Sequence, residues 1–133
     1  MTALAFNHVN LRAHRELLES LQAFYCDVVG LVKGNRPELG VFGYWLCVGN
    51  QAVLHLGEAR PEESVVTNAS TTFDHVAFDC DDLAGTEQRL RDRGIEFRGG
   101  RAEMFSMTIL FCKDPAGNSV ELRFADAAPR TNS

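Results

Sequence analysis

The chain has 133 residues, 45% of them hydrophobic and 23% charged, with a formal charge of −5. That length suits one compact domain with a real core, whereas either half alone would be marginal. The acidic balance, with no Lys/Arg run and no aromatic-basic stripe, argues against a nucleic-acid partner, and no apolar run approaches the ~18 residues of a membrane span. The N-terminus lacks a basic region followed by a long apolar stretch, so a cytoplasmic protein without membrane association is expected.

Taken in order, Ala5 to Leu11 reads as a strand. Glu16 to Val29 reads as a helix, because Leu17, Leu18, Leu21, Phe24, Tyr25 and Val28 recur at helical spacing, and Gly30 ends it. A short extended piece from Leu31 to Lys33 precedes a strand from Tyr44 to Val48, a Gly49-Asn50 turn and a strand from Gln51 to Leu56. Residues 57–71, with Glu58, Glu62 and Glu63, read as an acidic linker with no further role.

The second half repeats the order. Thr72 to Asp79 is a strand, Asp81 or Asp82 caps a helix from Leu83 to Arg93, and Gly94 stops it as Gly30 stopped the first. Ile95 to Arg98 and Met104 to Cys112 are strands, Asp114-Pro115-Ala116-Gly117-Asn118 is a turn, and Ser119 to Phe124 is the last strand. The tail from Ala125 is expected to be loose. The expected organisation is one structural domain built from two βαβββ modules, residues 1–66 with the linker and residues 67–133.

Phe6-Asn7-His8-Val9-Asn10-Leu11 and Phe73-Asp74-His75-Val76-Ala77-Phe78 look like copies of each other, each carrying one histidine. The last strands carry His55 in the first half and Glu121 in the second. Because side chains alternate along a strand, His55 opposes Leu54 and Leu56, and Glu121 opposes Val120 and Leu122. His8 and His75 oppose Val9 and Val76 in the same way. With a helix covering the apolar face of each module, all four polar groups line the other face.

The doubled βαβββ order, the histidine on the first strand of each half and the D-P-x-G-N-x-x-E ending at Glu121 resemble the vicinal oxygen chelate superfamily, which includes glyoxalases, bleomycin-resistance proteins and extradiol dioxygenases. The resemblance covers residues 4–125. It implies an α+β fold in which two βαβββ modules form a curved mixed sheet with helices on the outer face and a divalent metal on the concave face. His8, His75 and Glu121 are the implied ligands. His55 takes the position that is glutamate in bacterial-type glyoxalase I and glutamine in methylmalonyl-CoA epimerase, and is a fourth candidate. A homodimer is also implied, with His8 and His55 drawn from one chain and His75 and Glu121 from the other.

Two imidazoles and a carboxylate suit Fe, Ni, Co, Zn or Mn and leave positions open for substrate oxygens. The function expected first is an isomerase or lyase stabilising a metal-chelated enediolate or enolate of a small oxygenated substrate, with Glu121 as general base. An Fe(II) extradiol dioxygenase is the alternative, although only Tyr25 and Tyr44 could serve its acid-base chemistry and Tyr25 lies on a helix. A bleomycin-resistance-like binding protein is the third reading. Thiol transfer to fosfomycin lacks a distinctive phosphonate or potassium loop here.

Other residues have plainer expectations. His14 should be solvated; Phe6, Phe42, Tyr44, Trp45 and Phe105 should be core or interface, with a pocket wall the alternative; Arg36, Arg98 and Arg101 should be surface charge, with binding of an anionic substrate the alternative. Cys26, Cys47, Cys80 and Cys112 form no C-x-x-C pair and should be buried thiols in a reducing compartment.

Overall fold

In the computed structural model, which describes residues 1–126, the chain divides into two compact units, the first ending at Ala69 and the second beginning at Ser70. The first contains β1 (Val9–Ala13), α1 (Arg15–Phe24), β2 (Val32–Lys33), β3 (Gly43–Val48) and β4 (Gln51–Glu58). The second contains β5 (His75–Cys80), α2 (Leu83–Asp92), β6 (Phe97–Ala102), β7 (Met107–Lys113) and β8 (Ser119–Ala125). Each unit is therefore βαβββ, and the fold is α+β. No helix among the described residues is long and apolar enough to cross a membrane.

The two sheets share one topology, β1-β4-β3-β2 and β5-β8-β7-β6. In each, the last strand returns parallel to the first, while the remaining pairs are antiparallel. The helix makes that crossover possible, since parallel neighbours cannot be joined by a tight hairpin.

Alternation decides what each strand buries. Leu54 and Leu56 of β4 are 1% exposed, and α1, whose Leu18, Leu21 and Phe24 are also buried, packs on β4. Val120, Leu122 and Phe124 of β8 are buried likewise, as is Leu90 of α2. Burying a leucine or valine side chain contributes about 1.5–3 kcal/mol each, so these stripes fix the register of the strands that carry the candidate ligands.

Several boundaries differ from the sequence reading. β1 begins at Val9 rather than Ala5, and β5 at His75 rather than Thr72, because the parallel ladders start at Val9↔Leu54 and His75↔Ser119. The helix expected to run to Val29 is α-helical only to Phe24 and continues as a π-helical segment, Tyr25–Val29. Gly30, at φ 98°, closes it, and the Gly30 and Leu31 amides both donate to the Tyr25 carbonyl. Asp82 is the cap of α2, its side chain accepting from the Gly85 amide. β6 is longer than expected and continues through Gly99, where an added Cβ would lie 2.0 Å from the Ile109 carbonyl oxygen.

The linker is also more than expected. Glu58 lies on β4 and pairs with Arg15, while Glu63 pairs with Arg12 and its carbonyl accepts from His14 Nε2 at 2.9 Å. Ala125 belongs to β8 and Asp126 pairs with Arg101; the rest of the tail, 127–133, lies outside the described residues.

All four cysteines are free, and only Cys112 is fully buried. Burial pushes its thiol up to about 11, which keeps it protonated and inert. Phe6 and Phe105 are exposed, and Phe42, Tyr44 and Trp45 are half-buried, so none of the five belongs to the fully buried core.

Candidate metal centre

In the first unit His8 immediately precedes β1, and His55 on β4 pairs with Asn10, two residues beyond His8. The two imidazoles stack at 3.6 Å between centroids, 10° from parallel, and Trp45 stacks on the other face of His55 at 4.4 Å. His8 Nδ1–H donates to Asn7 Oδ1 at 2.7 Å, which leaves its Nε2 lone pair uncommitted. Burial first, and His8 second, hold the His55 pKa below the ordinary 6.5, so His55 is neutral at pH 7.

In the second unit His75 opens β5, and Glu121 on β8 pairs with Ala77, two residues beyond His75. His75 Nδ1–H donates to Asp74 Oδ2 at 2.7 Å, and Nε2 lies 3.9 Å from Glu121 Oε1. The other carboxylate oxygen, Oε2, is 3.7 Å from Arg123 Nη1. Both separations exceed hydrogen-bonding range, so a carboxylate whose side chain is 12% exposed makes no hydrogen bond among the described residues. Arg123 is thus the cation beside one oxygen, and the other faces His75 Nε2.

The two units thus present the same device. An oxygen on the residue before each histidine anchors Nδ1 and directs Nε2 outward, the arrangement in which metal-ligating histidines are usually held. The His75–Glu121 separation is less than two metal–ligand bonds of about 2.1 Å each, so an ion can lie between them. This pair fits a divalent metal. The His8–His55 pair fits less directly, since nearly parallel rings carry in-plane lone pairs that do not converge and one ring must turn for both to hold the same ion.

The structure therefore brings the four candidate residues together as two pairs, one in each unit. No group of three or more His, Cys, Asp and Glu side chains able to hold a metal is formed among the described residues.

A third matched position was not singled out in the sequence. Trp45 pairs with His55 and Phe111 pairs with Glu121, so each last-strand candidate has an aromatic beside it on the next strand. Trp45 and Phe111 are 66 positions apart, as His55 and Glu121 are, and that shared offset was the available signal.

Comparison with known proteins decides the family. The model of the Glyoxalase/Bleomycin resistance protein/Dioxygenase superfamily matches residues 5–122. The chain belongs to this superfamily. Within it, the chain is 32% identical over 130 residues to "Glyoxylase I 4" of Arabidopsis thaliana, covering 94% of this chain and 73% of the relative. Among solved structures, a glyoxylase/bleomycin resistance protein/dioxygenase domain from Frankia sp. EAN1pec matches with a TM-score of 0.69 at 16% identity, covering 96% of each chain. The fosfomycin resistance protein FosX from Listeria monocytogenes matches with a TM-score of 0.66 at 14% identity, covering 95% of each. These likenesses at low identity support the glyoxalase-superfamily fold and leave the reaction to the site.

Proposed function

We propose that this chain is a divalent-metal-dependent isomerase or lyase of the glyoxalase superfamily, acting on a small oxygenated substrate by proton transfer next to a carbonyl. His8, His75 and Glu121 are the proposed ligands and His55 the fourth, with the active form a homodimer. The observation that carries this reading is the matched register of His75–Glu121 and His8–His55, each histidine anchored through Nδ1 by the residue before it. The 32% identity to a glyoxylase I relative supports lyase or isomerase chemistry, and superfamily members generally use divalent metals and commonly form dimers.

A bound divalent ion supplies Lewis acidity that stabilises negative charge on a substrate oxygen. The protein's own contribution is positional. Asp74 holds the His75 ring, and Arg123 stands beside one oxygen of Glu121 while the other faces His75. Glu121 would leave the ligand set when substrate binds, and its carboxylate would then accept the proton from the carbon next to the substrate carbonyl and return it to the neighbouring carbon.

The same donor set suits an Fe(II) dioxygenase, but both tyrosines are engaged elsewhere. Tyr25 is 1% exposed in the core, and the Tyr44 hydroxyl donates to Glu19 at 2.7 Å. Protein reconstituted in turn with Fe(II), Mn(II), Ni(II), Co(II) or Zn(II) and incubated with hydroxyacetone in D2O should exchange the protons next to the carbonyl, followed by NMR, and Glu121→Ala should abolish the exchange. No exchange with any ion, together with oxygen uptake on catechol by the iron form alone, would favour the dioxygenase.

A further inference from the structure

The face of the second sheet that carries the ligand pair extends beyond it. Ladder pairing sets Ala77, Glu121, Phe111 and Arg98 in one row across β5, β8, β7 and β6, and His75, Ser119 and Lys113 in the next row on the same face. A concavity of about 580 Å³ opens here, lined by His75, Arg98, Phe111, Lys113 and Ser119 among others. The Arg98 guanidinium lies 5.1 Å from the centroid of the Phe111 ring, and the same ring meets His75 edge-on at 6.1 Å. Neither Arg98 nor Lys113 makes an ion pair among the described residues. Two carboxylates also line the concavity: Asp74 is committed to His75, which leaves Glu96 against two cations.

From this arrangement we infer that the concavity takes a substrate carboxylate at Arg98 and Lys113 and a flat apolar segment on Phe111, with the substrate's paired oxygens at its His75 end, which Glu121 neighbours from outside the lining. Arg98 is two strand spacings from Glu121, about 10 Å between backbones, so the anionic group stands across a ring-sized segment from the oxygens. A guanidinium already held against an aromatic face is pre-positioned for a planar carboxylate. The inference rests on the metal reading only at the oxygen end of the ligand.

The test is calorimetric titration of the whole chain, metal-free and with Zn(II), using 3,4-dihydroxybenzoate and catechol, which differ only in the carboxylate. The metal-free protein should bind 3,4-dihydroxybenzoate about tenfold more tightly than catechol, the loss expected for one charge-assisted contact. Arg98→Gln and Lys113→Gln, both exposed, should each remove most of that preference while leaving catechol binding unchanged. If zinc tightens neither probe but the preference persists, the metal reading fails and the carboxylate site stands. Equal binding of the two probes, no binding of either, or a preference that survives Arg98→Gln would overturn the inference. Displacement of the probe by an equal concentration of inorganic phosphate would overturn carboxylate as the class recognised.

Discussion

Asp74 accepts a hydrogen bond from Nδ1–H of His75 at 2.7 Å, and Asn7 stands in the same relation to His8. In both units the residue before the histidine fixes the tautomer that leaves Nε2 available. If that anchoring serves metal binding, Asp74→Ala should weaken the affinity for Zn(II) about 10–100-fold. Asp74 is exposed and makes no core contact, so the thermal midpoint should stay unchanged. Calorimetric metal titration beside a melting curve checks both.

The Trp45–His55–His8 stack gives a direct report on the fourth candidate. A metal held by both His8 and His55 must turn one ring out of the stack, and Trp45 is the only tryptophan in the chain. Tryptophan emission should therefore change on titration with Zn(II), with the midpoint found by calorimetry, and the change should vanish in His55→Phe. Emission indifferent to saturating zinc would mean that neither ring moves and that His55 is a wall of the site rather than a ligand.

Asp114 shapes the turn that delivers Glu121. It is 4% exposed; Oδ1 accepts from the Ala116 and Asn118 amides at 2.9 and 3.0 Å, and Oδ2 accepts from Asn118 Nδ2 at 3.1 Å. Asp114→Ala leaves those donors unmet and should cost about 3 kcal/mol in urea unfolding. Asp114→Asn, which keeps an acceptor, should cost less. Equal stability of the alanine variant would show that water replaces the carboxylate at this turn.

Stability should also depend on pH through Glu58. Its pairing with Arg15 holds the carboxyl below the ordinary 4.5, so the native state favours the charged form. The contribution is complete above 4.5 and is lost as pH falls through the lower folded value. Glu58→Gln should therefore be less stable than the parent at neutral pH, with the difference closing in acid. A gap that stays constant down the acid limb would assign the effect to packing instead.

The repeat was legible in the sequence because it rests on strand chemistry: a histidine in each copied first strand, an alternating last strand, and a glycine after each helix. Those features located both candidate pairs and the α+β architecture. Boundaries were less legible where tertiary pairing overrides local pattern. Thr72 and Phe73 have strand-like side chains, yet the ladder to β8 starts at His75. The π-helical segment at Tyr25–Val29 keeps the apolar spacing of an α-helix, so periodicity could not reveal it. The strand expected to end at Arg98 runs on through Gly99, where the close approach of the Ile109 backbone leaves no room for a side chain. Glu58 and Glu63 looked like plain linker charge because their partners, Arg15 and Arg12, lie more than 40 positions away.

The central claim is that His75 and Glu121 ligate a divalent metal, and elemental analysis tests it most directly. Protein purified without chelator or affinity metal, then reconstituted with Fe(II), Mn(II), Ni(II), Co(II) or Zn(II) and desalted, should retain about one ion per four-ligand set. His75→Ala and Glu121→Ala should retain little. Parent protein that holds no ion under any of these conditions, or variants that hold as much as the parent, would contradict the account and leave His8, His75 and Glu121 as polar groups of a binding pocket.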